Sequence, residues 1–138
     1  MNRRGFLAGV GAAALTSGAG CASLGTARNV DGDVGMTATA FRPATFTVAV
    51  GDDVVWYNNS VRAHSVTAYE KSLSDGADFF CTGDFDTEAA AREAWDGMRG
   101  AIDSGETYRH TFEVPGTYDY FCIPHEQGGM VGQIVVEG

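Results

Sequence analysis

Cysteine and histidine are scarce, three of each in 138 residues, and positive charge is in short supply, 9 lysines and arginines against 18 aspartates and glutamates. An odd set of three cysteines builds no disulfide framework, so Cys21, Cys81 and Cys122 are read as having three separate fates. The formal net charge is −9, and −11 once Arg3 and Arg4 are removed, with 7 basic against 18 acidic residues. Such a field argues against nucleic acid and fits a cationic partner or simple solubility. The small and apolar stretch from Phe6 to Ala19 falls short of the roughly 20 strongly apolar residues of a membrane span. One domain is the expectation for this length.

The few sulfurs and imidazoles are concentrated near the end of the chain. Cys122, His125 and Met130 stand at i, i+3 and i+8, with Pro124 and the pair Gly128-Gly129 between them. Proline and glycine are the residues with which a chain folds back tightly, so a short loop can aim a thiolate, an imidazole and a thioether at one point. Soft sulfur with imidazole suits copper better than magnesium or calcium. Two histidines, one cysteine and a weak axial methionine form the trigonal site of electron-transfer copper proteins. The loop supplies one histidine, and His64 is the better placed of the other two. His110, on a strand, reads as a surface or hydrogen-bonded side chain.

The stretch from Tyr120-Phe121-Cys122 to Met130, followed by Gly132-Gln133-Ile134-Val135-Val136, resembles the copper loop of the cupredoxins, the plastocyanin-like and halocyanin-like proteins in particular. A second match lies in Val54-Val55-Trp56-Tyr57-Asn58-Asn59 and His64-Ser65-Val66, and a third in the run from Phe41 to Val48. The similarity covers residues 33–69 and 105–138. It implies an all-β, Greek-key β-sandwich with one copper ion on His64, Cys122, His125 and Met130, and transient redox protein partners. It also implies that the Ser65 backbone N–H bonds the Cys122 sulfur. An exposed apolar edge around His125 is expected from Ile123, Pro124, Gly128, Gly129 and Val131, with Val61 and Ala63. Plastocyanins carry tyrosine immediately before the ligand cysteine; Phe121 stands here, and Tyr120 points to the other face of the strand.

Residues 1–21 read as an exported leader. Asn2-Arg3-Arg4-Gly5-Phe6-Leu7 resembles a twin-arginine motif and Ser17-Gly18-Ala19-Gly20-Cys21 a lipobox, with Gly18 where leucine is usual. A lipid on Cys21 would anchor the protein to the outer face of the cytoplasmic membrane; plain secretion is the alternative. Residues 22–32 read as a flexible tether and residues 33–138 as the domain, expected to be a monomer. Thr45–Val50, the Gly51-Asp52 turn and Val54–Tyr57 give a hairpin signal, and a short strand is expected over residues 64–69. Residues 70–104 read as an insertion on a sheet edge: a loop, then a helix of about ten residues starting at Asp86 or Thr87, stopped by Gly97 and docking through Ala91 and Trp95. The aspartates in this segment lack the EF-hand spacing and read as acidic surface. Cys81 reads as a buried small hydrophobe.

Two functions use these ligands: an electron carrier, and a protein for copper storage or delivery. An enzyme is disfavoured, because three histidines are too few for a multicopper cluster and a binuclear loop needs a second cysteine.

Overall fold

The computed structural model describes residues 32–138. The leader, Cys21 and the tether up to residue 31 lie outside the described residues. Eight strands form two sheets: β1 (Val34–Met36), β2 (Phe41–Arg42), β3 (Thr45–Ala49), β4 (Asp53–Asn58), β5 (Thr67–Ala68), β6 (Thr107–Thr111), β7 (Gly116–Phe121) and β8 (Val131–Glu137). One sheet runs β2-β1-β4-β6 and the other β3-β8-β7-β5. β1 lies parallel to β4 and β3 parallel to β8; the other pairs are antiparallel.

The period-two pattern decides which side chains meet between the sheets. Val54, Trp56 and Asn58 of β4, Tyr118 and Tyr120 of β7, and Gly132, Ile134 and Val136 of β8 are buried in alternation with more exposed neighbours. Trp56 is fully buried, as expected of a filler between layers. Its ring meets Tyr120 edge-on at 5.4 Å and Tyr108 at 5.4 Å.

The expected hairpin between β3 and β4 does not form, because β3 pairs with β8 while β4 pairs with β1 and β6. The turn itself is present, with Gly51 at φ 92°. Asp52 donates its N–H to Ala49 O at 3.0 Å, and Gly51 donates to Phe112 O at 2.7 Å. Turn residues specify a reversal of direction, not which strand is met afterwards. Here Val48 and the Val54–Trp56 face reach one core from opposite layers, so the turn is a corner between sheets.

The strand expected over residues 64–69 is reduced to Thr67–Ala68, because His64 pairs with Ile102 instead. Next to β5, Ala68 donates to Phe80 O at 3.0 Å and Thr82 to Val66 O at 2.8 Å. Residues 80–82 thereby cover an otherwise open sheet edge. Helix α1 spans Glu88–Ala94 and is capped by Thr87, whose Oγ1 accepts the Ala90 N–H at 3.0 Å. It is shorter than expected, continuing only as a 3-10 turn over Trp95–Gly97. The stop is Met98 in the left-handed region, not Gly97. Ala91 and Ala94 are its buried face, with Trp95 half-buried. Cys81 is a free, buried thiol, and half-buried His110 stacks on Phe80 at 4.7 Å. Among the described residues no helix is long and apolar enough to cross a membrane.

Gly132 is required by space. A Cβ there would lie 2.4 Å from the Tyr120 ring, which is wedged against Phe41 and Trp56. Gly132→Ala is expected to cost about 1–3 kcal/mol through overpacking, read by chemical denaturation of the metal-free protein. Gly128→Ala, with nothing within 4 Å of the added carbon, should cost far less.

Candidate metal centre

Strand β7 ends at Phe121, so Cys122 leaves the sheet with its side chain turned into the interior, where it is fully buried. A 3-10 turn over Ile123–Gly128 follows, with Pro124 in its first positions, and Gly129 at φ 96° reverses the chain. The loop closes on itself through its backbone. His125 donates to Cys122 O at 3.1 Å, Met130 to His125 O at 3.2 Å, and Cys122 to Met130 O at 3.1 Å. Met130 is fully buried at the foot of the loop.

His64 arrives on a second loop, pinned by Asn58. The buried Asn58 amide donates to Arg62 O at 2.7 Å and Ile102 O at 2.8 Å, while its Oδ1 accepts from the Ser60 N–H and hydroxyl. Losing such a buried partner costs about 1–3 kcal/mol per orphaned group. His64 itself exchanges two backbone hydrogen bonds with Ile102, at 3.1 and 2.7 Å. Ser60 Oγ lies 3.1 Å from His64 Nε2, which leaves Nδ1 facing the Cys122 sulfur at 3.5 Å. His125 Nδ1 faces the same sulfur at 3.4 Å. One ligand atom from each of these three residues lies within 4.8 Å of the others. The structure thus brings together His64, Cys122 and His125, with Met130 buried on the same loop, and leaves His110 on the far strand.

The surroundings set the charge of each donor. Burial pushes the Cys122 thiol up, and the backbone N–H groups of Ser65 and His125 pull it back down. The Ser65 N–H points at Sγ from 3.4 Å, the contact the resemblance implied, and the Ser65 hydroxyl accepts the Ile123 N–H at 2.8 Å. Burial and then the neighbouring His125 hold His64 below the ordinary imidazole range. Burial and then Arg62 do the same for His125. Both rings are therefore neutral near neutral pH, with lone pairs free to bind a metal, and a metal must displace the proton of the thiol. Two neutral imidazoles, one thiol and a buried thioether form a soft donor set that fits copper.

His125 is half-buried, and its Nε2 faces outward with the exposed Arg62 guanidinium 3.5 Å away. Val61, next to Arg62 in sequence, is 94% exposed, Val131, next to Met130, is 44% exposed, and Pro124, next to His125, is exposed. The opposite flank is closed. Phe121 is fully buried, with the Tyr69 ring 4.4 Å from it and the Arg92 guanidinium 4.2 Å from its centre. Sequence reading missed Asn58, Ser60, Tyr69, Arg92 and Glu126. Ser60, four residues before His64, and Asn58, at a strand end, carry a faint local signal. The Arg92–Glu126 pair spans 34 residues and carries none.

The model of copper binding proteins of the plastocyanin/azurin family matches residues 28–137. The plastocyanin of Tetradesmus obliquus is 32% identical over 111 residues, 80% of this chain and 68% of that protein. The minor plastocyanin isoform of Arabidopsis thaliana is 35% identical over 98 residues; 71% of this chain aligns with about half (51%) of that relative. A reduced amicyanin mutant matches in structure with a TM-score of 0.54 at 26% identity, covering 75% of this chain and 79% of that one. The chain belongs to the plastocyanin/azurin family of copper-binding proteins, the cupredoxins, and copper is its cofactor.

Proposed function

We propose that this chain is a small blue copper protein that passes single electrons between transient redox partners, with His64, Cys122, His125 and Met130 as the ligands of one copper ion. The observation that carries the ligand set is the convergence of His64 Nδ1 and His125 Nδ1 on Cys122 Sγ, at 3.5 and 3.4 Å, in a pocket whose walls are backbone-bonded. Copper bound there supplies a one-electron Cu(I)/Cu(II) couple. The chain's own residues do the rest. Cys122 gives up its proton and couples electronically to the metal, His64 is held by Ser60 and Ile102, and His125 offers the exposed edge. With Val61, Pro124 and Val131 around it, that edge suits the small, short-lived interface of a redox encounter. It is an electron carrier, not an enzyme.

Export through the twin-arginine-like leader is part of the proposal, as is anchoring to the outer membrane face through a lipid on Cys21; mass spectrometry of the native N-terminus distinguishes the lipidated from the secreted form. Copper storage or delivery is the second reading. It has the same ligands but gives copper away, and no contact among the described residues favours it.

Copper-loaded protein is expected to absorb strongly in the visible through thiolate-to-copper charge transfer and to cycle reversibly on an electrode; Cys122→Ser should lose the colour. A colourless, redox-silent copper complex would favour delivery.

The protonation of the donors gives a second expectation. The thiol, raised by burial, is protonated at pH 7, while both imidazoles, lowered by burial, are not. Copper uptake at pH 7 should release about one proton, not several, counted by calorimetry in buffers of different ionisation heat. Releasing that proton makes affinity fall about tenfold for each unit that pH drops wherever the thiol is protonated. The fall steepens only well below the ordinary imidazole value of about 6.5, where the depressed histidines begin to protonate as well.

The N–H bond to sulfur is separable from the Ser65 hydroxyl. Ser65→Ala removes what the hydroxyl contributes, the bond to Ile123 and its smaller share in holding the thiol down, whereas Ser65→Pro also removes the backbone donor to Sγ. Stripping a hydrogen bond from the thiolate favours Cu(II), so Ser65→Pro should lower the reduction potential relative to Ser65→Ala. Equal potentials would discard the role.

A further inference from the structure

The segment from Tyr69 to Gly97 ends up beside the metal loop, joined to it by the side chains of Arg92 and Tyr69. Arg92 of α1 donates from Nη1 to Glu126 Oε1 at 2.7 Å and from Nη2 to Glu126 Oε2 at 3.2 Å. The same guanidinium holds Glu88 Oε2 through Nε and Nη2, at 3.1 and 2.8 Å. It also sits over the Phe121 ring. Phe121 is the residue before Cys122, and Glu126 is the residue after His125. One guanidinium therefore grips both shoulders of the ligand loop.

Tyr69, just past the end of β5, repeats the grip. Its ring stacks on Phe121, its hydroxyl donates to Glu126 Oε2 at 2.5 Å, and its N–H donates to Asp119 O at 2.9 Å. Glu70 then ties the base of α1 to this point. The Glu88 N–H donates to Glu70 Oε2 at 2.8 Å, and the Glu70 N–H to Glu88 Oε1 at 3.0 Å. An isolated exposed ion pair contributes little. This guanidinium is different: it is held by forked contacts to two carboxylates and by a ring face, which fixes its plane.

We propose that Arg92 is a positioning residue for the metal loop, and that α1 with Tyr69 and Glu126 forms an external clamp that keeps His125 and Cys122 at their mutual distance before any metal arrives. The proposal rests on the reading of these two residues as ligands. A clamp on a preformed loop leaves less chain to order when copper binds and less to rearrange when its charge changes. The self-closed backbone of the loop fixes its shape, and the clamp fixes where that shape sits on the sandwich.

The test compares wild-type protein with Arg92→Gln, Arg92→Lys and, as control, Arg109→Gln, which breaks the exposed Arg109–Asp53 pair on another strand. Hydrogen exchange on the metal-free proteins should show amides 123–129 exchanging about tenfold faster in Arg92→Gln, the equivalent of losing one charged hydrogen-bonded contact. With Arg92→Lys, which lacks the fork, the increase should be smaller, and with Arg109→Gln absent. Copper release to a strong chelator should accelerate by a similar factor, and the charge-transfer band should shift in Arg92→Gln alone among the neutral replacements. Loop exchange and copper release within about twofold of wild type in a folded Arg92→Gln would overturn the proposal. If Arg92→Gln does not fold, unchanged loop exchange in Arg92→Lys does so. Wild-type protein that bound no copper would remove the ligand reading instead, and leave the exchange comparison standing.

Discussion

Everything at the metal end depends on a single buried sulfur being met from three sides. Cys122 Sγ receives the Ser65 N–H and faces two imidazole nitrogens, and none of these groups is its neighbour in sequence except within the loop. What brings them together is strand register. Thr67 pairs with Phe121 and Ala68 with Tyr120, so the two residues before β5 fall level with the residue after β7. A slip of one residue would turn Ser65 away from the sulfur and bury the wrong face of β7. The register is held by the alternation of Tyr118 and Tyr120 on one side and by the pairing of β7 with all six residues from Val131 to Val136 on the other.

The legibility of the chain follows from the range of the forces involved. Ligand spacing in 122–130 is a local property, fixed by Pro124 and Gly129 within a few bonds, and it could be read directly. The same is true of the alternating strands and, to within one residue, of the helix cap, which the sequence offers at Asp86 or Thr87 and the structure takes at Thr87. Pairing between strands is not local: the Gly51-Asp52 turn looks like a hairpin from either side, and only the choice of β8 as partner for β3 makes it a corner. The composition of α1 favours helix through Trp95, whereas the chain tightens there into a 3-10 turn and reverses at exposed Met98, in the left-handed region. Long-range polar contacts such as Arg92–Glu126 leave no trace in a single sequence, since each residue alone looks like ordinary surface charge on a helix and a loop.

The fold also separates two jobs that use the same few side chains. His64 is fully buried, with its second ring nitrogen engaged by Ser60, so it contributes position and no access. His125 is partly exposed, and its second nitrogen faces outward toward Arg62. The asymmetry follows from where the two loops sit: residues 58–64 are threaded between β4 and Ile102 by the Asn58 amide, whereas residues 123–129 bulge beyond the end of the β7–β8 pair.

That asymmetry has a consequence for how electrons reach the centre. The flank of β7 next to Cys122 bears a phenylalanine, and it is capped by the Tyr69 ring, the Arg92 guanidinium and the two carboxylates that hold it. A partner approaching there would have to take a partly exposed, mutually satisfied charge cluster out of water, a cost that an apolar contact does not carry. The His125 edge asks for no such sacrifice, since Pro124 beside it and the loop-flanking Val61 and Val131 are exposed, and Arg62 is the cation in contact with the ring. On an acidic molecule, an apolar edge with its own small charge is also where repulsion between like-charged proteins is weakest. On the proposed ligand set, the geometry that holds the donors in place therefore also makes the His125 edge the face better suited to a partner.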